Sequence, residues 1–252
     1  MRLTLLERPT PITTRAFRAK LEKRLEDLKG ELTASITFED LSPSGWARID
    51  LTGEDSEIVA QLISNAMRLA HTTLQEIEVP DVYDAQIMGS NANGLKFDLG
   101  LDTQNVTCVV PARNLQAQLA DGKTLPVSQL AECYCLYPGE RISIRTSRKQ
   151  GNQVEAWLSD RQTELISNRV TSGLDRIEAF DCFEDDTEAG IRKAHLARDI
   201  VAVEQVTLTL QSIVCKLGTD AVGLIPKLGR VLRKQKLHPF LPRRIVDRCR
   251  PW

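Results

Sequence analysis

The chain has 252 residues, 42% hydrophobic and 27% charged, with a formal net charge of −1 at pH 7. That length and apolar content suit two or three domains with cores of their own and exclude a disordered tail. No apolar run reaches the roughly 18 residues of a membrane-crossing helix, and Met1–Glu7 is too short and too soon charged for a secretory signal, so a cytoplasmic location is expected.

The first part reads strand, helix, strand, strand, helix. Leu3–Leu6 is a short strand ended by Pro9 and Pro11. Thr13 or Thr14 can cap a helix whose Phe17, Leu21, Leu25 and Leu28 share one face, with Gly30 as its stop. Leu32–Phe38 and Trp46–Leu51 alternate like a hairpin closed by Ser42-Pro43-Ser44-Gly45. A second helix from Thr52–Asp55 is expected to bury Ile58, Leu62, Ile63, Ala66 and Leu69. This is a small α+β layer over residues 1–78, read as a scaffold.

Residues 79–159 carry five predicted strands. Val82–Met88 comes first, then a polar turn at 89–93, then Gly94–Gly100, where Leu95, Phe97 and Leu99 alternate with polar residues. Asn105–Pro111, Glu140–Arg145 and Gln153–Leu158 follow, with two short helices inserted over residues 112–136, the second begun by Pro126. Five short strands of this kind make an OB-type β-barrel, a fold that commonly binds oligonucleotides.

Ser159-Asp160 can cap a connecting helix to Val170. Residues 160–252 then read as a ferredoxin-like βαββαβ unit. Its strands are Arg176–Phe183, Ile200–Val206, Leu208–Lys216 and Lys236–Leu241. Its helices start at Asp185 or Asp186 and at Val222, and a proline-bounded basic tail follows. The apolar run Ile200–Thr209 could also be helix. The fold class is therefore α+β and multi-domain, with a central barrel between two smaller α+β units.

Neither the six cysteines nor the three histidines form a ligand set. Cys108, Cys182 and Cys215 lie in apolar runs as small hydrophobes, Cys133 and Cys135 are one residue apart, and Cys249 is alone in the basic tail, so neither metal nor cofactor is expected. No nucleophile sits in an elbow or beside a base. Glu184-Asp185-Asp186 is explained by a helix start, where acids favour the dipole.

Charge is uneven. Residues 226–252 hold nine basic side chains and one acid, Asp247. Lys227, Arg230, Arg233 and Lys234 recur at helical spacing above a buried side of Leu224, Leu228, Val231 and Leu232. Lys236, Arg243, Arg244, Arg248 and Arg250 continue along an extended tail. Such a surface tracks a phosphate backbone, or else solubilises the chain. Arg141, Arg145, Arg148 and Lys149 lie on or beside one barrel strand, with Arg113 at the mouth of the insertion, as a second patch or as a solvated edge. Gly218–Gly223 leads from a strand into a helix, with Lys227 and Arg230 expected in its first turns. It lacks Gly-Lys-Ser/Thr, and Asp220 would repel an anion, which favours a tight turn capped by Asp220 over a phosphate cradle.

On Gly94–Gly100, Val109-Val110-Pro111 and Val154–Arg161, the middle segment resembles the ribosomal S-one-type RNA-binding repeat. The whole chain resembles an uncharacterised archaeal protein family, on Gln118–Gly122 and Gly218–Pro226. The resemblance implies an OB fold and RNA as partner. One departure stands out: Lys96 occupies the place where the repeat presents a stacking ring, leaving phosphate attraction in its stead. Tyr83 is the remaining candidate ring, with a buried tyrosine as the alternative.

The expected function is that of a non-enzymatic, RNA-associated protein in a ribosomal, tRNA or RNA-processing setting. The contacts would be the basic helix and tail, Lys96 and the Arg141–Lys149 patch. A protein–protein adaptor docking an acidic partner is the alternative, and a nucleotide-using enzyme built around the glycine loop is a third reading.

Overall fold

A computed structural model describes residues 1–71, 73–101 and 106–249. Asn105, at the predicted start of the third barrel strand, and Arg250 in the tail lie outside the described residues. No helix among the described residues is long and apolar enough to cross a membrane.

At the N-terminus β1 (Arg2–Thr4), β2 (Ser35–Phe38) and β3 (Arg48–Thr52) form an antiparallel sheet in the order β1-β3-β2. Helices α1 (Thr14–Lys29) and α2 (Ser56–Met67) pack against each other and this sheet. Phe17, Leu21 and Leu25 recur at i, i+4, i+8 and bury one face of α1. Thr13 is the N-cap residue, although its hydroxyl bonds with Thr10 rather than with a free amide of the first turn. Asp55 likewise turns away from the start of α2 and accepts from the Thr33 amide at 2.7 Å, which ties the helix to the hairpin.

The predicted buried face of α2 is rotated. Val59, Ile63 and Met67 are inside, whereas Ile58 is 52% exposed, Leu62 40%, and Ala66 also faces solvent. Each residue turns a helix by about 100°, so a set read one position early faces the wrong way.

The barrel closes as expected. Its strands are β4 (Val82–Asn91), β5 (Gly94–Asp98), β6 (Thr107–Pro111), β7 (Arg141–Gln150) and β8 (Gln153–Leu158), in the order β4-β5-β6-β8-β7. All pairs are antiparallel except β6 with β8. The polar stretch 89–93 is mostly strand: Asn91 pairs with Gly94 across a turn of Ala92 and Asn93 alone. Gly94 cannot carry a side chain, since a Cβ there would lie 2.2 Å from the Val110 carbonyl oxygen. Helices α3 (Ala112–Leu119) and α4 (Val127–Tyr134) contribute Leu115, Leu119 and Leu130 to the barrel core. Helix α5 (Asp160–Thr171) leaves the barrel with Ser159 Oγ accepting from the Gln162 amide at 3.1 Å.

The last part contains β9 (Arg176–Phe180), α6 (Glu184–Lys193), β10 (Ile200–Thr207), β11 (Leu210–Cys215), α7 (Ala221–Val231) and β12 (Lys236–Phe240). The sheet order is β10-β11-β9-β12, antiparallel throughout, so each helix bridges two strands split by a third. The ambiguous run at Ile200 is strand, because β11 supplies its partner.

The α6 acids lie at its start, in the first turn behind the N-cap residue Phe183, as expected for acids that favour the dipole; Asp185 also meets Lys20 and Lys23 of α1 at 2.9 and 3.4 Å, and the Lys20 ammonium holds its carboxyl below the usual range. One predicted feature differs. The extended tail is instead a helix, α8 (Pro242–Arg248), begun by Pro242. Ile245 and Cys249, four residues apart, are fully buried in the barrel core beside α4 and α5. Cys249 is therefore not alone: it lies against Cys133. All six cysteines are buried, and burial pushes the Cys108 thiol up to about 12 and those of Cys182 and Cys215 up to about 11.

Candidate nucleic-acid interface

Alternation along the barrel strands decides which side chains face out. On β5, Leu95 and Phe97 are buried and Lys96 between them is exposed, opposite Gly89 of β4 and Val109 of β6. Lys96 lines a surface cavity of about 320 Å³ with Met88, Asp98 and Thr107. Tyr83 is no platform for a base. It is buried, its hydroxyl accepts from the Glu78 amide at 2.7 Å, and its ring meets His71 edge-on at 4.9 Å. The exposed ring is one the sequence reading passed over, Trp157 on β8, which is 38% exposed and opposite Arg145 of β7. Its signal was present: Gln153, Glu155 and Trp157 alternate with buried Val154, Ala156 and Leu158.

Most of the predicted barrel cations have partners within the molecule. Arg141 is not at the surface. Its side chain is 11% exposed, with Nη2 at 2.5 Å from Glu7 Oε1, while the Leu208 amide donates to Glu7 Oε2 at 3.0 Å. Burial raises the Glu7 carboxyl above its ordinary value, against the pull of Arg141. Arg145 reaches Asp160 at 2.5 Å and Arg113 reaches Glu155 at 3.6 Å. Arg148 donates to Gln150, and Lys149 donates to the carbonyls of Leu74 and Ile77 at 2.7 and 2.9 Å. Within the predicted patch, Arg141 is thus part of a buried ion pair, whereas Arg145, Arg113 and Arg148 are paired at the surface.

The glycine loop is a capped turn. Asp220 Oδ1 accepts from the Val222 amide at 3.0 Å and Oδ2 from the Gly223 amide at 3.1 Å, so its own carboxylate occupies the donors a phosphate would need. Lys227 and Arg230 are not in the first turns of α7: the helix begins at Ala221, which places them in its second half. Ala221, Leu224 and Leu228 are buried along the opposite side. Lys227, Arg230, Arg233 and Lys234 are all exposed, and none has a carboxylate partner among the described residues, but they do not share one helix: α7 ends at Val231, so Arg233 and Lys234 lie in the bend before β12, where Arg233 Nε donates to the Arg230 carbonyl at 3.1 Å. Cations at this end also interact favourably with the helix dipole.

On α8 the exposed Arg243 opposes the upward shift that burial imposes on Asp175, and Arg244 is bonded to Glu132 of α4. Lys236 lies 3.8 Å from Asp181. The structure therefore separates the predicted cations into a free set on α7 and a largely paired set on the barrel and α8.

No curated protein sequence matches this chain. Among solved structures it is similar to GSP13 from Bacillus subtilis, with 15% identity over 34% of this chain and 59% of that one and a TM-score of 0.26. It is similar to the K3L protein of vaccinia virus (Wisconsin strain), with 12% identity over 33% of this chain and 89% of that one and a TM-score of 0.23. A third similarity is to a chain of an a/eIF2alpha–aDim2p–rRNA complex from Pyrococcus horikoshii OT3, with 10% identity, 47% of this chain and 64% of that one covered, and a TM-score of 0.27. The chain spans less than two thirds of the first and third of these. Residues 174–238, the unit from β9 into β12 that carries the free cations of α7, match the DUF2110 C-terminal domain.

Proposed function

We propose that this chain is a non-enzymatic, cytoplasmic RNA-associated protein that holds a single-stranded phosphate backbone along the second half of α7. The barrel supplies a lesser contact through Lys96 and Trp157. The observation that carries the reading is the group Lys227 and Arg230 on the second half of α7 with Arg233 and Lys234 in the bend just after it: four exposed cations without a carboxylate partner among the described residues. Neutralised arginines contribute little to counterion release, whereas free ones contribute fully. A ribosomal, tRNA or RNA-processing setting fits a reader of backbone rather than sequence.

The test is fluorescence anisotropy of a labelled single-stranded RNA 12-mer against salt, for the parent and for Lys227→Glu/Arg230→Glu/Arg233→Glu/Lys234→Glu. For single strands the log–log salt slope falls by about 0.7 for each phosphate contact removed, so four contacts lower it by about 2.8. Equal affinity and equal slope in the two proteins would dismiss α7. A protein adaptor is the second reading, favoured by the ion pairing that leaves the barrel few free cations. It requires that partners captured from extract survive nuclease digestion.

A further inference from the structure

A cleft of about 640 Å³ lies where the segment after β1, the barrel and the C-terminal sheet meet. One part of its lining is aromatic: the rings of Tyr137 and His238 stack with centroids 4.1 Å apart and a 31° tilt, and Phe180 meets both edge-on. Burial and the nearby Lys236 lower the His238 pKa, which keeps the imidazole neutral at pH 7. Pro9 and Pro11 add further apolar lining. Arg8, Lys236 and Asp181 also line the cleft; Arg8 is 4.0 Å from Asp98, and Lys236, 70% exposed, is 3.8 Å from Asp181, so a phosphate here would compete with that carboxylate for Lys236.

Gln86 supplies the second observation. It is 4% exposed and lines the cleft. Its Nε2 donates to the Gly139 carbonyl at 3.3 Å, which fixes the orientation of the amide, since an amide oxygen cannot bond a carbonyl. Its Oε1 is buried without a donor among the described residues. Buried polar atoms in native proteins almost always have a partner, and a small turn of the Gln86 side chain would bring this acceptor to an N–H in the cleft.

The occupant must therefore be planar enough to stack on Tyr137 and His238, carry an N–H at its ring edge, and tolerate cations beside it. We infer that the cleft binds a nucleobase carried on a phosphorylated ribose, with the base stacked on these rings and donating to Gln86 Oε1. The volume lies within the range of small-molecule sites, which favour junctions of this kind. The chain runs from Lys234 directly to Lys236 in the cleft, so a free mononucleotide and one extruded base of a strand share the chemistry. The site itself does not depend on the cations of α7.

The experiment titrates the unmodified protein with AMP, GMP, CMP and UMP, following the imidazole resonances of His238, one of only three histidines. At least one nucleotide should shift His238 saturably. Tyr137→Ala should weaken that binding by about 5- to 160-fold, the range a stacked base contributes, and Gln86→Leu by about 2- to 10-fold, the range of one hydrogen bond. The Arg230→Glu/Arg233→Glu protein should retain it, which separates this site from the backbone contact. A pre-bound RNA 12-mer that prevents the shift identifies the base of a strand, and one that does not identifies the free nucleotide. If none of the four moves His238, or if binding survives both substitutions, the inference is overturned. The titration of the unmodified protein needs no variant, so a misfolded Gln86→Leu leaves the test standing.

Discussion

Arg141→Leu separates a structural arginine from a nucleic-acid contact. In the folded chain Arg141 Nη2 meets Glu7 Oε1 at 2.5 Å, and the two side chains are 11% and 2% exposed. The carboxylate also accepts from the Leu208 amide, so one ion pair joins the segment after β1, strand β7 and the turn between β10 and β11. Removing the guanidinium leaves Glu7 buried with one N–H donor, and a broken buried pair costs about 3–5 kcal/mol. At about 2–4 °C per kcal/mol for a chain of this size, the melting temperature should fall by about 6–20 °C. The Glu7 carboxyl already sits above its ordinary value of 4.5, and without Arg141 it rises further. A raised carboxyl loses stability as pH climbs above the unfolded value, so the defect should be larger at pH 7 than at pH 5. Glu7→Gln/Arg141→Leu should recover much of the loss by removing the orphaned charge. Urea unfolding followed by circular dichroism at both pH values measures each effect, and RNA anisotropy on the folded variant should match the parent. An Arg141→Leu protein as stable as the parent but impaired in RNA binding would refute the structural assignment.

Glu140 and Glu178 are both buried, burial and mutual repulsion raise the Glu140 carboxyl, and Glu140 Oε2 has no hydrogen-bond partner among the described residues. Stability should therefore decline as pH rises above about 4.5, and Glu140→Gln should flatten that decline and gain about 1–3 kcal/mol at pH 8, read from urea midpoints across pH; an unchanged pH profile would exclude Glu140 as its source. Trp157→Ala should weaken binding of single-stranded RNA by about 1–3 kcal/mol while leaving the salt slope alone, because stacking releases no counterions. Equal affinity for the same 12-mer would remove the ring from the interface.

The barrel was legible because its determinants are local. Leu95, Phe97 and Leu99 alternate, the two-residue turn at Ala92-Asn93 sets the hairpin register, and Gly94 stands where the Val110 carbonyl leaves no room for a Cβ. The capped turn at Asp220 was legible for the same reason. What stayed hidden depends on distant chain. Arg141 and Glu7 are 134 residues apart, and nothing beside Arg141 marks it as buried. Helix α8 hid behind its charge: Ile245 and Cys249 are an ordinary i, i+4 pair, outweighed in the composition by Arg243, Arg244 and Arg248. On α2, apolar residues on adjacent faces left the phase open, and only packing against α1 and the sheet chose Val59, Ile63 and Met67.

Linear charge asymmetry is thus a poor measure of what a partner meets. The last 27 residues hold nine basic side chains against one acid, on a chain whose net charge is −1. Folding uses part of that positive charge on Glu132 and Asp181, and brings Asp175 within reach of Arg243. The barrel arginines are used in the same way by Glu7, Glu155 and Asp160. What escapes is set by geometry: Asp220 is engaged at the N-terminal end of α7, and the four cations of its second half and of the bend just beyond it have no carboxylate partner among the described residues. A polyanion approaching the molecule would meet a group of unpaired cations there, felt within a Debye length of about 8 Å at physiological salt. The barrel then contributes surface and a ring rather than net charge, which is why binding should depend on salt through α7 and on stacking through β8.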